Sequence, residues 1–228
     1  YSLQNSSDYN AKVLQSNLNG LSLEIDGFEI STRLIGDFNA YNILAAYSVA
    51  IELNQSSKKV ACALSLIKPA PGRFNVLRSK NGLTAIVDYA HSPDALRKII
   101  LSISNFCITK NHLITVVGCG GNRDIGKRSI MGQIVAQSSY LSIFTSDNPR
   151  FENPNSIIKD MMSDLSTDAK KKVYKIVDRY DAISFAVSKA NKECIMLIVG
   201  KGHEKTQEIN GIKKPFDDLQ IISKLLKI

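Results

Sequence analysis

From residue 83 onward, short apolar runs rich in β-branched residues recur at intervals that leave room for one helix between each pair. They lie at residues 83–88, 113–117, 141–145, 174–177 and 195–199. Runs of this length without polar alternation fit strands covered on both faces, and parallel strands need a crossover helix. Helices are expected at about 92–106, 125–137, 154–165, 179–190 and 217–226, with a short hairpin around Asn210-Gly211 before the last. The chain is therefore expected to be α/β, with a Rossmann-like, mostly parallel, doubly wound sheet.

The first third reads differently. Residues 10–35 alternate as half-buried antiparallel strands do, and Asp26-Gly27 supplies a hairpin turn. Gly36-Asp37-Phe38-Asn39 leads into an apolar helix at 41–53, and a second helix is expected at 58–67. Pro69, Pro71 and Gly72 then break the pattern. This places a boundary between a first segment, 1–72, and a domain at 73–228. A sheet fragment with two helices is thin for an independent domain and reads as the tail end of one.

Composition narrows the function classes. The net charge of +8 invites a nucleic-acid reading. Its lysines are scattered, however, and aromatics are not interleaved with them as a strand-binding platform requires. An anionic small ligand fits better. No apolar run approaches the roughly 18 residues of a membrane span, and the opening Tyr1-Ser2-Leu3 has no signal-peptide character. The missing initiator Met suggests removed upstream sequence. Cys62, Cys107, Cys119 and Cys194 form no CxxC pair, so zinc and a disulfide framework are not expected. Reduced thiols and a cytoplasmic setting are.

Three of the apolar runs end in polar loops, and in an open α/β sheet the carboxyl ends of strands form the ligand-binding rim. Gly118-Cys119-Gly120-Gly121-Asn122-Arg123-Asp124 opens into a helix, where backbone amides favour an anion and Arg123, Lys127 and Arg128 add charge. It is not a Walker loop, because Arg128 stands where Ser or Thr must follow Lys127. An ordinary tight turn accounts for the spacing equally well. In Asp147-Asn148-Pro149-Arg150, Asn-Pro alone signals only a turn, but a strand-end guanidinium can clamp a carboxylate with two prongs. In Gly200-Lys201-Gly202-His203-Glu204, the glycines allow close approach of a ligand and Glu204 can take an ammonium group. His203 lacks an evident partner and reads as structural. Asp88, at the first strand's end, can hold a ribose hydroxyl pair, while Ser92 and Pro93 suit a helix start. Two arginines and a glutamate on one rim suit a ligand with both carboxylate and ammonium groups.

Six motifs, in order, resemble the Mur ligases, ATP-dependent amide-bond-forming enzymes of peptidoglycan assembly. They are Gly36-x-Phe38-Asn39-x-x-Asn42, Gly72-Arg73, Asp88-Tyr89-Ala90-His91, the stretch from Gly120 through Arg128, Asp147-Asn148-Pro149-Arg150, and Gly200-Lys201-Gly202-His203-Glu204. The Asp-Asn-Pro-Arg motif resembles that of members adding meso-diaminopimelate to UDP-N-acetylmuramoyl-L-alanyl-D-glutamate. The resemblance implies an amino-acid pocket of Arg123, Asp147, Asn148, Pro149, Arg150, Gly200 and Glu204. It assigns Asn39, Asn42, Arg73, Asp88, Tyr89 and His91 to ATP.

The family's P-loop, magnesium ligands, modified lysine and UDP-sugar domain have no counterpart in these residues. The chain thus reads as the end of a central ATPase-type domain followed by a C-terminal domain. No catalytic or metal-ligating residue is assigned to it, Mg²⁺ is expected to be held upstream, and it should be inactive alone. Small-molecule substrates and a monomer are expected. Two rival readings are a folylpolyglutamate synthetase-like ligase adding glutamate and a non-catalytic, Rossmann-like nucleotide- or anion-binding module.

Overall fold

A computed structural model describes residues 1–104, 106 and 112–228 and divides them into two compact units, Tyr1–Ala70 and Pro71–Ile228. The expected end of the helix at 92–106, at residue 105, and Cys107 lie outside the described residues. Among the described residues no helix is long and apolar enough to cross a membrane.

In the first unit, β1 (Ala11–Asn17), β2 (Gly20–Ile25) and β3 (Phe28–Thr32) form an antiparallel sheet. Alternation along β2 turns Leu21, Leu23 and Ile25 inward. They meet Ile43, Leu44 and Tyr47 of α1 (Phe38–Glu52) and Val60, Ala61 and Leu64 of α2 (Ser57–Ser65). Burying each of the leucines, isoleucines and Val60 contributes about 1.5–3 kcal/mol before chain entropy is counted. The β2–β3 turn has positive φ at both Asp26 (48°) and Gly27 (75°), the geometry that matches strand twist. Tyr47 Oη donates to Asp26 Oδ2 at 2.8 Å, tying that turn to the helix.

The second unit is built on six strands in the order β4-β5-β9-β6-β7-β8. Their ranges are β4 Asn75–Arg78, β5 Thr84–Asp88, β6 Leu113–Cys119, β7 Leu141–Ser146, β8 Val173–Lys175 and β9 Ile195–Val199. All neighbours are parallel except β4 and β5. Strands β5, β6, β7 and β9 are buried along their length, which explains the unbroken apolar runs. α3 (Pro93–Ser104), α4 (Gly126–Ser138) and α5 (Pro154–Met161) follow β5, β6 and β7 and pack on one another. α7 (Arg179–Lys189) and α8 (Asp218–Leu226) pack together, and their Ala182, Ile183, Ala186 and Ile222 bury Ala85, Val87, Ile114, Val116, Ile143 and Ile198. β9 thus sits between two strands that lead into the other helical group, the arrangement that opens a crevice at the strand ends.

Several expected bounds shift. The helix expected at 154–165 ends at Met161, and a four-residue α6 (Thr167–Lys170), not anticipated, begins at the Ser166 cap. The strand expected at 174–177 is Val173–Lys175, shortened because β8 is a half-exposed edge. β4, also half-buried, was not anticipated. The Asn210-Gly211 hairpin joins β10 (Thr206–Ile209) to β11 (Ile212–Pro215). Cys62, Cys119 and Cys194 are unbridged.

Candidate functional site

A cavity of ≈ 330 Å³ opens at the carboxyl ends of β6, β7 and β9, lined by Gly118, Cys119, Gly120, Arg123, Asp124 and Lys127 from the first loop. Asp147, Asn148 and Arg150 line it from the second loop, Gly200 and Glu204 from the third, and Tyr89 and His91 from the segment after β5. Six of the seven residues expected to form an amino-acid pocket therefore line this one cavity. The seventh, Pro149, is buried behind it, and its carbonyl would collide with a β-carbon on Gly121.

Asn148 is the centre of the wall. Its Oδ1 accepts from Lys201 Nζ at 3.0 Å and from the Glu208 amide at 3.0 Å, while Nδ2 donates to Glu204 Oε2 at 2.8 Å. Ammonium and backbone amide are donors only and a carboxylate accepts, so the partners themselves fix the amide's orientation. Lys201 also meets Glu204 Oε2 at 2.9 Å and is fully buried. Burial pushes the Glu204 carboxyl up, but the hydrogen bonds from Lys201 and Asn148 and the Lys201 charge outweigh it and hold Glu204 below its ordinary value.

Arg150 sits in the left-handed region, at φ 51°. Its amide donates to Glu208 O at 3.1 Å and its carbonyl accepts from the Asn210 amide at 2.7 Å, so the β10–β11 hairpin clamps this strained residue. Nη1 donates to Gly121 O at 2.7 Å, and Nε lies 3.6 Å from Glu208 Oε2. Arg123 is exposed on the opposite loop. Asp147 is buried beneath Gly200, and desolvation drives its carboxyl up despite the charges of Arg179 and Lys201. Cys119 is no nucleophile, since burial pushes its thiol up to about 12.

Arg128 corrects an expectation. Rather than adding charge to the loop, it is buried and forked between Glu152 and Asp160, each at 2.8 Å from Nη1. Lys127 reaches the His91 carbonyl at 2.7 Å. Sequence reading also missed the roles of Arg179, Lys201 and Glu208, whose contacts with Val199 and Asn148 span 20–60 residues.

The residues assigned to nucleotide are spread over both units. Asn39 and Asn42 stand at the start of α1, with Asn39 Nδ2 on Ile35 O at 2.7 Å and Asn42 Nδ2 on Asn39 Oδ1 at 3.0 Å. In the second unit, the Asp88 carboxylate accepts from the Phe74 and Ala90 amides at 2.8 and 2.7 Å. It thereby pins the turn after Gly72, while burial raises its carboxyl above the usual range. The Tyr89 ring packs 4.7 Å from His91 and 4.9 Å from His203, with the Arg73 guanidinium 5.5 Å away over its face. His203 therefore has an aromatic partner. Among the described residues no cluster of three or more His, Cys, Asp or Glu side chains suits a metal ion.

A crevice at the switch point of a doubly wound sheet, walled by arginine, carboxylate and glycine-rich loops, defines a ligand-binding α/β domain of the kind that takes small anionic or zwitterionic molecules. The family profile described as "Mur ligase, glutamate ligase domain" matches residues 72–202, and the chain belongs to the Mur ligase family. It is 47% identical over 222 residues to the UDP-N-acetylmuramoyl-L-alanyl-D-glutamate–2,6-diaminopimelate ligase of Phocaeicola vulgatus, covering 97% of this chain and 46% of that protein. A solved structure titled as the same ligase aligns with a TM-score of 0.68 at 35% identity, covering 98% of this chain and 46% of the other. A folylpolyglutamate synthase from Thermotoga maritima aligns at TM-score 0.66 and 21% identity over 85% of this chain and 44% of its own, a likeness of fold alone. The chain spans a little under half the length of the curated relatives it matches.

Proposed function

We propose that this chain belongs to an ATP-dependent ligase joining meso-diaminopimelate to UDP-N-acetylmuramoyl-L-alanyl-D-glutamate. The observation that carries the reading is one cavity walled by Arg123, Asn148, Arg150 and Glu204. Guanidinium groups and an amide N–H suit carboxylates, and Glu204 suits an ammonium. A diamino dicarboxylic acid offers both kinds of group at each end. Names of similar proteins agree with this substrate, although each describes a chain more than twice the length of this one.

In the reaction proposed, an oxygen of the acceptor carboxylate takes the terminal phosphoryl group of ATP with release of ADP, and the incoming amine attacks the carbonyl carbon of the resulting acyl phosphate. The C–N bond forms, the C–O bond to phosphate breaks, and the amine's surplus proton passes to the released phosphate or to water. This chain's share is positioning. Fixing the amine by its distal charged end makes the attack effectively unimolecular. Asn39, Asn42, Arg73, Asp88, Tyr89 and His91 are the residues proposed for ATP. Magnesium belongs to the same reading, with its ligands assigned elsewhere in the full protein. A monomer in the cytoplasm is the working state.

Glutamate addition is the rival within the same fold. Glutamate lacks the distal ammonium that Glu204 suits, and diaminopimelate is therefore preferred. The full-length gene product should release ADP with the dipeptide substrate and meso-diaminopimelate, and far more slowly with L-lysine or L-glutamate. Faster turnover with glutamate would sink this assignment.

A further inference from the structure

We propose that Lys201 is the positioning residue that sets the polarity of the cavity wall, fixing Asn148 as a donor and Glu204 as a one-oxygen acceptor toward the ligand. The proposal rests on the reading above only for the ligand's identity.

Lys201 is fully buried and its Nζ touches two functional side chains at once, Asn148 Oδ1 at 3.0 Å and Glu204 Oε2 at 2.9 Å. Asn148 Oδ1 receives both Lys201 and the Glu208 amide, which fills its two lone pairs. Nδ2 spends one hydrogen on Glu204 Oε2, so the second N–H is what Asn148 can offer the cavity. Glu204 Oε2 already accepts from both Lys201 and Asn148, and Oε1 is the oxygen available to a ligand ammonium. The wall thus presents one N–H beside one carboxylate oxygen, a pair matched to the carboxylate and ammonium of an amino-acid end. Without Lys201, Asn148 Oδ1 is held by the Glu208 amide alone and Glu204 Oε2 loses its charged donor, so the pair that faces the ligand is less firmly set.

The charge environment of Glu204 is mixed. His203 and Lys201 come from its own loop, Asp147 from the loop after β7 and Arg179 from α7. Arg123, Lys127, Asp124, Arg150 and His91 line the same cavity. Lys201 is the charged group hydrogen-bonded to the Glu204 carboxylate. A glutamate held below its ordinary value is fully charged at neutral pH; losing Lys201 leaves burial to raise it, and charge is then lost as pH falls.

Two measurements on the full-length protein test the idea. In the first, carbon-detected NMR follows the Glu204 carboxyl in wild type, Lys201→Met and Lys201→Gln. Wild-type Glu204 should titrate below 4.5, and both variants should titrate above it. In the second, calorimetry follows meso-diaminopimelate from pH 5 to 8. Wild-type affinity should be nearly flat, whereas the variants should lose on the order of tenfold at pH 8 and more toward pH 5. A structural role alone would lower the denaturation midpoint without tilting the pH profile. Wild-type Glu204 titrating at or above 4.5 overturns the proposal even if neither variant folds. Equal, flat binding by folded variants overturns it too. Absence of wild-type binding would instead strike the substrate assignment, leaving the titration to decide the role of Lys201.

Discussion

Arg179 Nε and Nη2 meet the two carboxylate oxygens of Asp218 at 2.9 and 2.7 Å, and both side chains are fully buried. Nη2 also donates to Val199 O at 3.0 Å, and Nη1 to Ser146 O at 3.4 Å. One guanidinium thereby joins the starts of α7 and α8 to the ends of β7 and β9, at the residues just before Asp147 and Gly200 of the cavity lining. Arg179→Ala would leave Asp218 charged and unpaired, so a loss of about 3–5 kcal/mol is expected. Denaturant unfolding of the chain checks this. A loss under about 1 kcal/mol would mean that the site's floor does not depend on the pair.

Gly200 lies at φ 115°, and a β-carbon there would collide with Asp147 Oδ2. Two penalties therefore coincide in Gly200→Ala. Backbone strain alone is worth about 1–3 kcal/mol, and Asp147 must also move within a packed wall. Ligand affinity should fall more than stability, since Asp147 and Gly200 both line the cavity. Calorimetry with meso-diaminopimelate beside thermal unfolding separates the two. Unchanged affinity would place the ligand away from this loop.

Asp147 gives a signed pH effect. Burial raises its carboxyl in the folded chain, so the native state binds that proton more tightly than the unfolded state does. Its contribution to stability should therefore grow as pH falls from above the raised folded value toward the ordinary 3.8. Asp147→Asn removes this term. The stability difference, wild type minus variant, should shift toward wild type between pH 7 and 4 in urea unfolding. The opposite slope would mean that Arg179 and Lys201 keep Asp147 below its ordinary value.

The strands carrying the site are legible in the sequence because β5, β6, β7 and β9 are buried on both faces and are therefore mostly apolar or small, with short buried hydroxyls such as Thr115 and Ser142 between. β4 has no such mark, since its four residues pair antiparallel at an edge and are half-exposed. The polar loops show which residues reach the rim, though not which turn inward. Lys127 and Arg128 are adjacent, yet Lys127 lines the cavity while Arg128 is buried against Glu152 and Asp160. Helical geometry points neighbours in different directions, and the buried one is decided by acids 24 and 32 residues later. Arg179 escapes for the same reason, and so does the Asn148 contact of Lys201, whose other partner, Glu204, is only three residues on: such contacts are defined by partners that only the fold brings near.

The sharpest prediction concerns Arg150. Its guanidinium is braced by Gly121 O at 2.7 Å, and its backbone is locked by Glu208 and Asn210 into a conformation that non-glycine residues rarely adopt. Such bracing suits a group that must meet a ligand carboxylate with little freedom left to lose. Diaminopimelate carries a distal carboxylate that lysine lacks, and a site built to pair it leaves a desolvated charge when lysine binds. In the full-length enzyme, Arg150→Ala should lower kcat/KM for meso-diaminopimelate by about two orders of magnitude, roughly 3 kcal/mol, and change the value for lysine little. Arg150→Lys should restore little, because an ammonium keeps the charge but not the fork that reaches Gly121 and the ligand together. Steady-state kinetics with both amino acids decide the matter. A wild-type preference for lysine, or an equal penalty on both substrates, would make Arg150 a brace for the β10–β11 hairpin and nothing more.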